Sequence, residues 1–153
     1  MKNILRFSFF SLMFFIAVSA AKAQSVSVSV NGTVEKGKTG RGTVVFSIPG
    51  GLHANSNRPG AEYAIPTTVR ISGTGIRSAR ASYPRGRNRK FSFSENTINV
   101  YEGRVSIPFT FSVPAGFNGS SVRLTATVRY QACTNEVCYA PGSKTASTTA
   151  RLK

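Results

Sequence analysis

Valine at positions 26, 28 and 30 alternates with serine at 25, 27 and 29, the period-two pattern of a strand that buries one face and leaves the other to water. Asn31 and Gly32 then mark a turn. The same alternation returns in Val105, Ile107, Phe109, Phe111 and Val113, and again in Val122, Leu124, Ala126, Val128 and Tyr130. A glycine-bounded turn at 116–119 lies between these two runs, so they are expected to pair as a hairpin. Shorter strands are expected over 43–48, 67–71, 76–83, 98–101 and 144–152, separated by segments rich in Gly, Pro, Asn and Ser. No segment after the N-terminal run keeps a helical period. Seven or eight short strands in a chain of this size predict an all-β fold, an immunoglobulin-like antiparallel β-sandwich.

The N-terminus reads as an export signal. Lys2 and Arg6 precede an uncharged, phenylalanine-rich run over 7–21, and Ala21-Lys22-Ala23 gives the small-x-small pattern of a cleavage site. Cleavage is expected before Gln24, leaving a signal peptide at 1–23 and one domain at 24–153 in the periplasm or outside the cell. The uncharged run has 15 residues, short of the ~18–20 that span a bilayer, so no transmembrane segment is expected in the mature chain.

Export sets the meaning of the two cysteines, Cys133 and Cys138. In an oxidising compartment this spacing is expected to form a disulfide, whereas in cytosol it would suggest thiols or metal ligands. With one histidine, no aspartate and five scattered glutamates, metal cages and carboxylate pairs are poorly supplied, and neither a metal nor a cofactor is expected. The mature chain keeps 17 basic against 5 acidic residues, a net +12. That charge bears on solubility and on acidic partners, and the basic cluster at 77–90 holds only Tyr83 as a stacking ring, so nucleic acid is not expected as a partner.

Strand parity extends to the cysteines. If the even-numbered residues from Val122 to Tyr130 face the core, then Arg129, Gln131 and Cys133 point away from it and Cys133 is reachable. A bulge after Tyr130 would invert that inference. As a staple, the bridge closes a loop worth only about 2 kcal/mol of chain entropy. Composition and spacing therefore leave a redox role and a structural role both open.

Several segments resemble a known family. They are Gly51-Leu-His53-Ala-Asn55-Ser-Asn57-Arg-Pro59, Ile65-Pro66-Thr67, Lys90-Phe91-Ser-Phe93-Ser-Glu95, Val100-Tyr101-Glu102-Gly103, and Tyr130-Gln-Ala-Cys133 through Cys138-Tyr-Ala-Pro141. In that order they are similar to the N-terminal periplasmic domain of the DsbD-type thiol-disulfide interchange protein. The cysteine block is the specific part. The resemblance implies an immunoglobulin-like fold and a redox pair at Cys133 and Cys138, shielded by a short loop. It also implies protein redox partners, either a membrane electron transporter or a thioredoxin-like protein. Phe91 and Phe93 are candidates for the shielding loop, although their alternation with Ser92 and Ser94 also suits a strand facing the core. Tyr130 and Tyr139 flank the pair and are candidates for shaping access to it. His53, the only imidazole, is weighed as a site residue against a loop histidine bonded to backbone. The acidic residues that well-studied members carry near the shielding loop have no clear match, because the stretch over 85–93 is basic. The chain is expected to act as a stand-alone exported domain that passes electrons between a redox partner and oxidised envelope proteins. The alternative is a non-catalytic exported sandwich that binds a partner and carries a structural disulfide.

Overall fold

A computed structural model describes residues 23–153, so the expected signal peptide lies outside the described residues except for its last position. Eleven strands and no helix occur among the described residues. Their ladders form three antiparallel sheets. The first sheet takes the order β1 (Ser25–Val30), β2 (Thr39–Ser47), β8 (Arg104–Ser112) and β5 (Arg77–Ala81). The second is β11 (Gly142–Arg151), β9 (Ser121–Tyr130) and β4 (Thr68–Ser72). The third, smaller sheet runs β10 (Ala132–Cys133), β3 (His53–Asn55), β7 (Ile98–Tyr101) and β6 (Arg87–Arg89). No helix among the described residues is long and apolar enough to cross a membrane.

Alternation does what it predicts for facing. In β8, Val105, Ile107, Phe109 and Phe111 are buried while the residues between them are exposed or half-buried, and in β9 every even-numbered residue from Val122 to Tyr130 is buried. These two rows meet with Val44 and Phe46 of β2 in one core. Each such aliphatic or aromatic side chain contributes about 1.5–3 kcal/mol by leaving water. A second, smaller cluster of Ala64, Phe91, Ile98 and Val100 lies under the small sheet.

Pairing differs from the sequence expectation. β8 and β9 do not form a hairpin: β8 lies between β2 and β5, and β9 lies between β11 and β4. The connection over 113–120 instead carries the chain from one sheet to the other, with Phe117 packed against the core. Alternation reports which face of a strand is buried and carries no information about its neighbour. A hairpin would have left both apolar rows on one sheet with nothing opposite to cover them.

Close packing within the first sheet requires glycine at one place. A Cβ at Gly42 in β2 would stand 2.4 Å from the Phe109 ring and 2.4 Å from the Ser29 carbonyl oxygen. The ring can shift, but the backbone of β1 is held in its ladder opposite β2. Gly42→Ala is expected to destabilise the domain by about 1–3 kcal/mol, read as a lowered midpoint in a denaturant titration with unchanged slope.

Candidate functional site

β9 ends at Tyr130, and two residues later the chain is in a different sheet, with Ala132 opposite Ala54 and Cys133 opposite His53. Gln131 makes the transfer. Its side-chain oxygen accepts a hydrogen bond from buried Asn55 Nδ2 at 3.1 Å, and its Nε2 donates to the Tyr139 carbonyl at 3.2 Å. Asn55 Nδ2 also donates to the Ile65 carbonyl at 3.1 Å, so the amide is paired despite its burial. This break in the strand resets parity, and Ala132 and Cys133 are both buried.

The expectation that Cys133 points away from the core is therefore corrected. Cys133 has 0% of its surface exposed, and Cys138 is the exposed member of the pair. The two form a disulfide, with Cα atoms 4.0 Å apart and their residues facing each other in an antiparallel bridge. The loop between them is a tight turn. Thr134 N–H donates to the Val137 carbonyl at 2.8 Å, and Thr134 Oγ1 accepts the N–H groups of Glu136 and Val137. Tyr139 N–H closes the turn onto the Ala132 carbonyl at 2.9 Å.

Phe91 and Phe93 sit in the loop between β6 and β7, which is folded on itself and is not a strand. Ser94 N–H donates to the Phe91 carbonyl, Lys90 Nζ donates to the Glu95 carbonyl, and Ser94 Oγ donates to the Asn96 carbonyl at 2.7 Å. Phe91 is buried over His53, their ring centroids 4.2 Å apart and nearly parallel; Phe93 stacks on Phe91 at 5.2 Å. Three rings thus run outward from His53 in the small sheet to Phe93, which is 37% exposed and lines one cleft with Tyr63, Glu136 and Cys138. Ser92 Oγ donates to the Asn135 carbonyl at 3.4 Å and links this loop to the disulfide loop.

The other candidates separate. Tyr130 is a core residue, its ring 4.9 Å from that of Phe46, whereas Tyr139 is 52% exposed beside Cys138. His53 is in strand β3, not in a loop, and no hydrogen bond holds its Nε2. Burial pushes its pKa below the usual 6.5, Glu102 opposes that shift and Arg89 adds to it. Arg89 is itself engaged by the Glu102 carboxylate through Nε at 3.2 Å and Nη2 at 2.9 Å.

Sequence reading missed Asn55 and Gln131 as a bonded pair and Val137 as part of the surface around the sulfur. The one legible signal was Val137, an apolar residue lodged in a short polar loop; Gln131 continues the outward polar row of β9 and carries no mark of the crossing.

Residues 19–150 match the family described as thiol:disulfide interchange protein DsbD, N-terminal. The chain belongs to this family. Its all-β sandwich architecture and its disulfide agree with that membership. No curated protein matches the chain.

A buried neutral histidine links stability to acid. Below pH 6.5 the unfolded chain protonates His53 while the fold resists it, so this contribution is fully present above that value and is lost as pH falls through the lower folded value. Thermal or denaturant unfolding of the oxidised protein is expected to show stability falling from pH 7 towards pH 5, and His53→Phe to flatten that slope.

Proposed function

We propose that this domain exchanges electrons with other envelope proteins through the Cys133–Cys138 disulfide, with Cys138 as the sulfur that meets the partner. The observation that carries this reading is the asymmetry of the pair: Cys133 is enclosed, and Cys138 is exposed and lines a cleft with Tyr63 and Phe93. Thiol-disulfide exchange requires access to one sulfur and a stable position for the other as leaving group.

The surface around Cys138 suits a protein partner. Tyr63, Ile65, Phe93, Val137 and Tyr139 are the large apolar residues that stand exposed among the described residues. Val137 and Tyr139 adjoin Cys138 in sequence, Tyr63 and Phe93 share its cleft, and Ile65 is tied to Gln131 through the Asn55 amide. Large apolar side chains gathered at one place on an otherwise polar domain mark an interaction site. The net positive charge outside this patch favours an acidic partner and a faster encounter at low salt.

In the accepting direction, a partner thiolate attacks Cys138 Sγ, the Cys133–Cys138 bond breaks, and its electron pair leaves on Cys133. A second partner thiol then attacks the mixed disulfide, releasing the domain as a dithiol and the partner as a disulfide. In the donating direction, Cys138 attacks a substrate disulfide and Cys133 resolves the adduct. A thioredoxin-like or membrane-bound thiol protein is the donor class, and oxidised envelope proteins are the acceptors. The leader over 1–23 supplies export, after which the domain works in the periplasm.

Single-cysteine variants test this. Cys133→Ser leaves the exposed sulfur without its resolving partner and is expected to accumulate reducible mixed disulfides in the native envelope, seen on non-reducing gels. Cys138→Ser leaves only the enclosed sulfur and is expected to trap far fewer. Absence of adducts from both variants contradicts the exchange reading. Tyr139→Ser with Val137→Ser is expected to slow reduction of the bridge by a reduced thioredoxin-like protein about tenfold or more, while reduction by dithiothreitol stays within about twofold. Equal slowing by both reductants contradicts docking on this surface.

A further inference from the structure

His53 Nε2 is the one buried side-chain nitrogen or oxygen without a hydrogen-bond partner among the described residues. Leaving such an atom unpaired is costly, and the residue is 97% enclosed, so water does not satisfy it cheaply. Its place in the fold supplies a use. His53 and Cys133 are directly opposed in the antiparallel ladder of β3 and β10, which sets their side chains on the same face as nearest cross-strand neighbours. Phe91 covers the other side of the imidazole. Cys133 is enclosed, so a proton on its sulfur has no open route to bulk water.

We propose that His53 is the general base that takes the proton from Cys133 when that cysteine resolves a mixed disulfide, an assignment that rests on the exchange reading above. The step begins with Cys138 bonded to a substrate sulfur and Cys133 as a thiol. The Cys133 proton moves to His53 Nε2. The sulfur's electron pair then forms the bond to Cys138 Sγ, and the Cys138–substrate bond breaks with its pair leaving on the substrate thiolate. The imidazolium passes its proton to that thiolate. Over both steps the domain loses two electrons and two protons, and the substrate disulfide becomes two thiols.

The surroundings keep this base in its working state. Glu102, Arg89, Lys90 and Glu136 are the charged groups around the cleft beside the ring, and Glu102 and Arg89 are engaged with each other. Burial outweighs the pull of Glu102 and holds the imidazole neutral near pH 7, ready to accept. Cys133 is fully enclosed, so a local base matters most there.

The test follows the mixed disulfide directly. Fully reduced full-length protein is mixed with oxidised glutathione, quenched with acid at intervals and separated by mass into dithiol, glutathione adduct and internal disulfide. For the natural protein, decay of the adduct is expected to reach its plateau at or below about pH 6.5. His53→Phe keeps a ring against Phe91 and removes the base; His53→Gln keeps polarity and also removes it. Both are expected to accumulate adduct, to resolve it about 100-fold more slowly at pH 7, and to gain rate with pH into the thiol range near about 8.5. Wild-type rates and profile in whichever variant retains a cooperative unfolding transition overturn the assignment. So does a natural-protein profile that rises only in the thiol range, which decides the matter should neither variant fold. Failure of the natural protein to form any adduct sinks the exchange reading instead, and with it this one.

Discussion

Gln131 is where the geometry of the site is decided. A strand continuing regularly past Tyr130 would keep its odd-numbered residues outward and present Cys133 to solvent. The chain instead leaves the sheet of β9 and β11 and joins β3, held at the crossing by the Asn55 and Tyr139 hydrogen bonds of the Gln131 amide. One irregular residue encloses Cys133 and, through the tight turn that follows, leaves Cys138 at the surface. The difference between the two sulfurs is a consequence of where the backbone changes sheets.

The aromatic stack joins the small core to the surface at the pair. Phe91 is fixed in that core against His53, and Phe93, stacked on it, lines a cleft with Cys138. Phe91 is a residue of the small core, and it lies in a folded loop that is not a strand. The Arg89–Glu102 pair at the cleft is solvent-accessible and contributes little to stability, and its two charges act on the imidazole in opposite directions.

Strands of four residues or more were legible at least in part, and the two- and three-residue ones were not. Alternation over 25–30 gave the observed bounds, over 105–113 and 122–130 it gave bounds within a residue, and the short strand expected over 98–101 has the observed bounds, whereas the one expected over 43–48 covers only the second half of β2. β3, β6 and β10 carry no period: His53–Asn55 is buried on both faces, Arg87–Arg89 is exposed throughout, and Ala132–Cys133 is two residues long. They are strands because a neighbour in the ladder makes them so, a tertiary cause that no window of sequence contains. The disulfide was legible from compartment and spacing. Its asymmetry was not, since that depended on a change of sheet at Gln131, which continues the outward polar row of β9 and leaves the alternation unbroken. The placement of His53 opposite Cys133 was likewise hidden, being a register between segments 80 residues apart.

The reduction potential of the bridge tests the central claim most directly, by equilibrating the isolated full-length protein in glutathione or dithiothreitol buffers and quantifying the dithiol. A pair that cycles in the envelope is expected to lie above about −300 mV, within reach of thioredoxin-like donors. A value well below that limit, with the bond closed under every buffer short of strong reductant, contradicts the account and leaves the disulfide as a staple of the fold.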